Sequence, residues 1–265
     1  LSELTTAIAY IKCDDKKLTN DLLKKHGINV PNQTLANNKK LDDFLEKQKK
    51  YVVKPRRGEQ GEDVFVDLNK KEVKKLIKKK KTSQTIIEEF HKGVDLRLVV
   101  IDYQIVAAAT RSPPEIRGDS KHTVKQLIEK LERKRSIALK GEKVRVLDED
   151  CKKCIQNQGF NLNDVLEKGK RLLVRKTANL HTGGTIKDVT GKLCPELNKT
   201  AEQIAKIINI PVVGLDLIIE NPSKQKYVFV EANERVGLAN HEPQPTAEKF
   251  IDLLFPTSKQ KFKLK

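Results

Sequence analysis

The segments Val212-Val-Gly-Leu-Asp-Leu-Ile-Ile219 and Tyr227-Val-Phe-Val-Glu-Ala-Asn233 constrain the fold more than any other part of the chain. Both are short runs of β-branched, aliphatic and aromatic residues. Between them, Glu220-Asn-Pro-Ser-Lys-Gln-Lys226 carries the Asn, Pro and Ser of a turn, so the stretch predicts a β-hairpin. With the turn centred near Ser223 and Lys224, antiparallel pairing sets Asp216 opposite Glu231, with Asn233 two residues along on the same face. Opposed carboxylates repel, so a sheet that keeps them together either holds a cation between them or turns them to solvent. In the first case the hard oxygen set suits Mg2+, which takes a few carboxylates and completes its shell with water and phosphate oxygens. In the second, Asp216 and Glu231 are the polar face of an amphipathic hairpin. The segment alone leaves both readings open.

A chain of 265 residues suits one large domain or two lobes. No apolar run approaches a membrane span and no signal-peptide pattern opens the sequence, so a cytoplasmic protein away from membranes is expected. No Met occurs, even at position 1, which suggests a portion of a longer product or a sequence that has lost its Met positions. The formal charge of +17 favours anionic partners without choosing among them. In the densest basic run, Lys70 to Lys81, the helical spacing of Val73, Leu76 and Ile77 makes the lysines a solvated helix face. Aromatics interleaved with Arg are lacking, so nucleic acid is not an expected partner. Of the four cysteines, Cys151 and Cys154 form one C-x-x-C with both thiols on one helix side, while Cys13 and Cys194 stand alone; reduced thiols without a zinc site are expected.

Asp14 to Gly27 has acidic residues first, a Leu18, Leu22, Leu23 stripe and a terminal Gly, which predicts a helix. Further expectations are a short strand at Ile28 to Val30, a helix at about Asn38 to Lys49, and strands at Tyr51 to Pro55 and Val64 to Leu68. The loop Arg56-Arg-Gly-Glu-Gln-Gly-Glu-Asp63 between these strands, with Lys54 at its entry, is either a phosphate cradle or a plain hairpin loop. A strand from Thr85 runs to a turn at Gly93. A hairpin follows, from Asp95 to Ile101 and Gln104 to Arg111, with Asp95 and Arg97 on one face as an ordinary ion pair. The pattern loosens from 112 to 170, apart from a helix at about Thr123 to Lys134, and reads as an insertion. After a strand at Leu172 to Val174, the loop Arg175 to Thr185 gathers cations, hydroxyls and a Gly pair. Helices at Pro195 to Asn209 and Thr246 to Phe255 flank the hairpin.

In order, Val53-Lys-Pro55, the Gly loop, Ile87-Glu-Glu-Phe90 before Gly93-x-Asp95-x-Arg97, Gly214-x-Asp216 and Glu231-x-Asn233 resemble the ATP-grasp superfamily of carboxylate–amine ligases. Arg111-Ser-Pro-Pro-Glu115, Gly118-Asp-x-Lys-His-Thr123 and Arg175-x-x-Ala-Asn-x-x-Thr-Gly-Gly184 narrow the likeness to cyanophycin synthetase and the ATP-grasp part of bifunctional glutathione synthetases. Glu231-Ala-Asn-Glu-Arg235 with Gly237 to Thr246 looks most like N-acetylglutaminylglutamine synthetase. The resemblance implies an α+β ATP-grasp fold, two α/β lobes with mainly antiparallel sheets clamping ATP. The lobes would be residues 1–88 and 89–265, the second with the insertion at about 112–170. It implies that Lys54 touches the α and β phosphates, that Lys16 is an earlier nucleotide-contacting Lys, that Arg57, Gly58 and Gly61 belong to a lid loop, and that Glu88, Glu89, Phe90 and His91 form an adenine hinge. Asp95 would take the ribose, and Asp216, Glu231 and Asn233 would hold Mg2+ or Mn2+. Arg111, Arg175 and Lys176 are the candidates for the transferring phosphoryl group. A small-molecule carboxylate and an amine are the implied substrates, and a homo-oligomer is expected because relatives often assemble. Glu62 departs from the small residue many relatives carry in the lid, and nothing matches the acetyltransferase-like portion of that subfamily.

Overall fold

Asp15 divides the first helical segment of this computed structural model, which describes residues 4–58, 61, 63–139, 141–241 and 243–257. Helix α1 (Ala7–Asp14), absent from the sequence expectation, starts where the Thr6 hydroxyl accepts from the Ala9 N–H. Helix α2 (Lys16–Lys25) starts on the Asp15 carboxylate and stops before Gly27, whose φ of 77° lies in the left-handed region. The first strand is β1 (Gln33–Leu35) and not Ile28 to Val30. There the Asn29 carbonyl instead accepts from the Phe229 N–H at 2.9 Å and its amide donates to the Tyr227 carbonyl, while Pro31 has no N–H to give a ladder.

Helix α3 (Leu41–Lys47), strands β2 (Tyr51–Pro55) and β3 (Phe65–Leu68), helix α4 (Lys70–Ile77) and strand β4 (Thr85–Glu89) follow. The first sheet has the order β1-β4-β2-β3, all pairs antiparallel. Tyr51, Val53 and Ile87 turn to one side and pack with Leu45 and Val73 of the covering helices. Alternation therefore sends Lys54 and Glu88 to the opposite face.

Strands β5 (Val94–Ile101) and β6 (Gln104–Ser112) are joined through Asp102 and Tyr103, both at positive φ, as a two-residue hairpin turn requires. Then come β7 (Glu115–Arg117), α5 (Val124–Ala138), α6 (Glu149–Gln156), β8 (Arg171–Leu173), β9 (Thr185–Asp188), α7 (Pro195–Ile208), β10 (Val212–Ile219), β11 (Tyr227–Asn233) and α8 (Thr246–Leu254). The second sheet runs β11-β10-β5-β6-β9. Buried on both faces, β10 reads as an almost continuous apolar run for that reason. Leu215 and Leu217, with Leu96 and Leu98 of β5, bury against Leu197, Ala201, Ile204 and Ile208 of α7. Asp216 is thereby left on the other face.

The four-stranded sheet and strands β5, β10 and β11 fall in one compact unit, the described residues to Thr110 and from Asp188 onward; Arg111–Lys187, with the β7–β8 pair and most of β9, form a second unit, and β6 and β9 carry the chain across the boundary. The second unit has its own core, which includes Val124, Ile128, Cys151, Ile155 and Leu172. Burial pushes the Cys151 thiol up to about 11, and all four cysteines are unbonded. Among the described residues no helix is long and apolar enough to cross a membrane.

Candidate active site

The hairpin register is the expected one: Asp216 faces Glu231 and Gly214 faces Asn233. An irregularity follows, because Leu217 pairs with Phe229, leaving Val230 as the extra residue of a bulge. The Asn233 amide nitrogen lies 3.4 Å from Asp216 Oδ2 and 3.3 Å from Glu231 Oε1. Three oxygen-bearing side chains thus converge on one point, and a half-turn of the amide brings its oxygen to the same point. That donor set fits Mg2+, with two carboxylates and one carbonyl-type oxygen.

Across the other edge of β10, Asp216 pairs in register with Arg97, whose Nε is 3.0 Å from Asp216 Oδ1. The partner of Arg97 is therefore not the Asp95 expected from the sequence alone. Gly214 makes room for it: a Cβ built there would stand 2.5 Å from Arg97 Nη1.

Lys54 and Glu88 sit diagonally across the β2–β4 ladder, both under 5% exposed, with Nζ 2.8 Å from Oε2. Lys54 Nζ also lies 3.5 Å from the Val230 carbonyl at the bulge. Lys16, the first residue of α2, donates to the Gly58 carbonyl at 2.6 Å and stands 3.8 Å from Glu231 Oε2. The structure thus brings Lys16, Lys54, Glu88, Asp216, Glu231, Asn233 and Arg97 together.

Of the remaining expected nucleotide residues, Glu89 approaches His91 Nε2 at 2.6 Å and accepts from the Asn32 amide at 2.7 Å. The Phe90 N–H donates to the Lys50 carbonyl at 3.0 Å. Asp95 lies on β5 opposite Ile218. Arg57 is exposed, with Nε 3.4 Å from Asp14 Oδ2. Gly58 and Gly61 have φ of 133° and 73°, while Glu59, Gln60 and Glu62 of the same loop lie outside the described residues.

Arg111, Arg175 and Lys176 belong to the second unit. Arg175 is buried, ion-paired to Asp148, and donates to the Val146 carbonyl at 3.4 Å. Asp148 also caps α6 through the Cys151 N–H at 2.9 Å, so Arg175 steadies that helix start. Lys176, beside it, is exposed, and Arg111 is half-buried on β6. Gly183 is seated against Val146 and Pro114, where a Cβ would come within 2.6 Å and 3.3 Å. Sequence reasoning missed Arg97 as the partner of Asp216, the pairing of Glu88 with Lys54, and the bond between Asp15 and Arg56. Each joins strands or helices that are distant in sequence, and no local spacing signals it.

The description RimK-like ATP-grasp domain matches residues 13–149 and 174–253. A cyanophycin synthetase of Crocosphaera subtropica is 31% identical over 277 residues, covering 97% of this chain and 32% of that protein. A glutathione biosynthesis bifunctional protein of Clostridium perfringens is 27% identical over 271 residues, covering 94% of this chain and 35% of that protein. The chain spans about a third of the length of these curated relatives. Among solved structures, a bifunctional glutathione synthetase from Pasteurella multocida superposes with a TM-score of 0.61 at 20% identity, over 96% of this chain and 38% of that one. A D-alanine–D-alanine ligase from Bacillus anthracis complexed with ATP gives 0.59 at 14% identity, over 97% and 70%. At such identities the superpositions speak for the fold, which is the α+β ATP-grasp fold with mainly antiparallel sheets. Because the family match takes in both the strand that carries Lys54 and the hairpin that carries the opposed carboxylates, the chain belongs to the RimK-like ATP-grasp family.

Proposed function

We propose that this chain is an ATP-dependent carboxylate–amine ligase that forms a peptide-type amide through an acyl phosphate, with N-acetylglutaminylglutamine as its product. The observation that carries the reading is the facing pair Asp216 and Glu231, bridged by Asn233 and bordered by the buried cations Lys16 and Lys54. In this reading residues 1–88 and 89–265 are the two ATP-clamping lobes, the latter bearing the insertion at about 112–170. Lys16 and Lys54 hold the nucleotide phosphates, with Glu88 keeping the Lys54 ammonium in place. Arg57, Gly58 and Gly61 cover them, Glu89 to His91 border adenine, and Asp95 takes the ribose. Asp216, Glu231 and Asn233 hold Mg2+, or Mn2+ in its place, which when bound offsets the charge of the phosphate oxygens.

The substrate carboxylate attacks the γ-phosphorus as the bond to the ADP oxygen breaks. The amine lone pair then attacks the acyl carbon, the bond to the phosphate oxygen breaks, and the amine's surplus proton leaves with the phosphate or to solvent. Both steps crowd negative charge, so positioned cations contribute more than any acid–base group. Arg111 and Lys176 are assigned to the transferring phosphoryl group and the acyl phosphate. Arg175 joins them only by exchanging Asp148 for substrate, and otherwise steadies its loop. A cyanophycin-type amide is the second reading, favoured by the 31% identity to cyanophycin synthetase over nearly the whole chain.

The test is ADP release with Mg–ATP against a matrix of acids and amines that includes N-acetylglutamine with glutamine, with products weighed by mass spectrometry. ADP that appears only with acid and amine together, with the mass of the amide, is the expected result. ATP binding without turnover for any pair overturns the reading.

A further inference from the structure

Asp15, the one residue between α1 and α2, is 3% exposed. Its Oδ1 accepts from the Leu18 N–H at 3.1 Å, which caps α2. The same carboxylate takes the Arg56 guanidinium as a fork, with Nε at 2.8 and 2.9 Å from the two oxygens and Nη2 at 2.7 Å from Oδ2. Main-chain bonds run through the same crossing. The Lys16 N–H donates to the Arg56 carbonyl at 3.0 Å, and the Arg56 N–H donates to the Gln84 carbonyl at 2.7 Å. Capping alone is met equally well by Ser or Asn. Only a carboxylate also accepts a guanidinium fork as a charge-assisted pair. The two segments joined here carry the two buried lysines of the site: Lys16 follows Asp15 directly, and Lys54 precedes Arg56 by two residues on β2.

We propose that Asp15 and Arg56 are positioning residues that set Lys16 against Lys54 for the polyphosphate of a nucleoside triphosphate. This rests on the nucleotide-binding part of the ligase reading. Arg56 acts through Asp15 and does not itself touch phosphate. The clamp ties the first turn of a helix to the end of a strand, so its loss shifts one ammonium relative to the other while leaving both charges present.

The experiment compares Asp15→Asn, Arg56→Lys and the double variant in the full chain. Affinity for Mg–ADP and Mg–ATP is measured by calorimetry without acid or amine, with thermal melts and, where turnover exists, KM and kcat for each substrate. Asp15→Asn keeps the cap and loses the fork. It is expected to weaken nucleotide binding about tenfold or more, the order that small misplacements of positioned groups cost. KM for acid and amine should stay as in the wild type. Arg56→Lys should match it, and the double variant should be no weaker than either single one. Nucleotide affinity unchanged in both single variants overturns the proposal, as does a fall in melting temperature with unchanged affinity. Multiplicative losses in the double variant also overturn it, because Arg56 would then bind phosphate on its own. A wild-type chain that binds nucleotide but forms no amide counts against the ligase reading alone, and the clamp is then judged on the affinities. A wild-type chain without nucleotide affinity overturns both. Should Asp15→Asn fail to fold, Arg56→Lys carries the test by the same criteria, its side chain being 32% exposed.

Discussion

Asp216 and Glu231 face each other across neighbouring strands, and the Asn233 amide spans the two carboxylates at 3.4 and 3.3 Å. Without a cation the pair is repulsive, eased by Arg97 on one side and Lys16 on the other. Glu231→Gln removes that repulsion. Its melting temperature should equal or exceed the wild type, a gain on the order of 0.2–1 kcal/mol. ADP formation should fall by about a hundredfold or more, and the Mg2+ concentration for half-maximal rate should rise. A Mg2+ titration of both proteins beside thermal melts checks this, and full activity in the variant would refute the metal role.

Lys54 and Glu88 form a buried pair at 2.8 Å. Removing one partner leaves an uncompensated charge, so Glu88→Gln should lower unfolding stability by about 3–5 kcal/mol in urea. The apolar double variant Lys54→Met with Glu88→Leu should recover most of that loss and still fail to bind nucleotide. If the double variant is the less stable of the two, the pair is held by something other than mutual compensation.

Gly214 is required by the seat of Arg97. A Cβ 2.5 Å from Arg97 Nη1 displaces the guanidinium from Asp216, so Gly214→Ala should cost about 1–3 kcal/mol in unfolding stability. In an Arg97→Ala background the same substitution should cost little, and a double-mutant cycle reads the coupling. Additive losses would show that Gly214 serves another purpose.

Burial alone would raise the Asp15 pKa, but the Arg56 guanidinium and the Leu18 N–H outweigh it and hold the carboxyl below its usual value. The stability that follows is fully present above the unfolded pKa of about 3.9 and is lost as pH falls through the lower folded value. Asp15→Asn should therefore be less stable at neutral pH and show a shallower acid limb below about pH 4. Urea titrations from pH 7 down to 2.5 measure the difference, and parallel acid limbs would contradict it.

Local chemistry determined much of this protein. Turn residues between two apolar runs set the β10–β11 hairpin, and the bulge at Val230 then shifts the register by one, so that Asp216 faces Glu231. Caps and stripes delimited α2, α5 and α7, since Asp15, Thr123 and the left-handed Asn209 act within a turn of themselves. Helix α1 escaped notice because its eight residues carry a weak apolar stripe and no acidic first turn. The segment at Ile28 to Val30 looked like a strand because Ile28 and Val30 are β-branched, yet Asn29 between them bonds to Tyr227 and Phe229 instead. Only tertiary structure decided which cation meets which carboxylate. Asp15 reaches Arg56 41 residues away, Arg97 turns to Asp216 and not to Asp95, and Arg175 is held by Asp148. Such pairs follow from strand order and helix docking, which depend on the summed burial of many side chains, whereas spacing along the chain reports only on neighbours within a few residues.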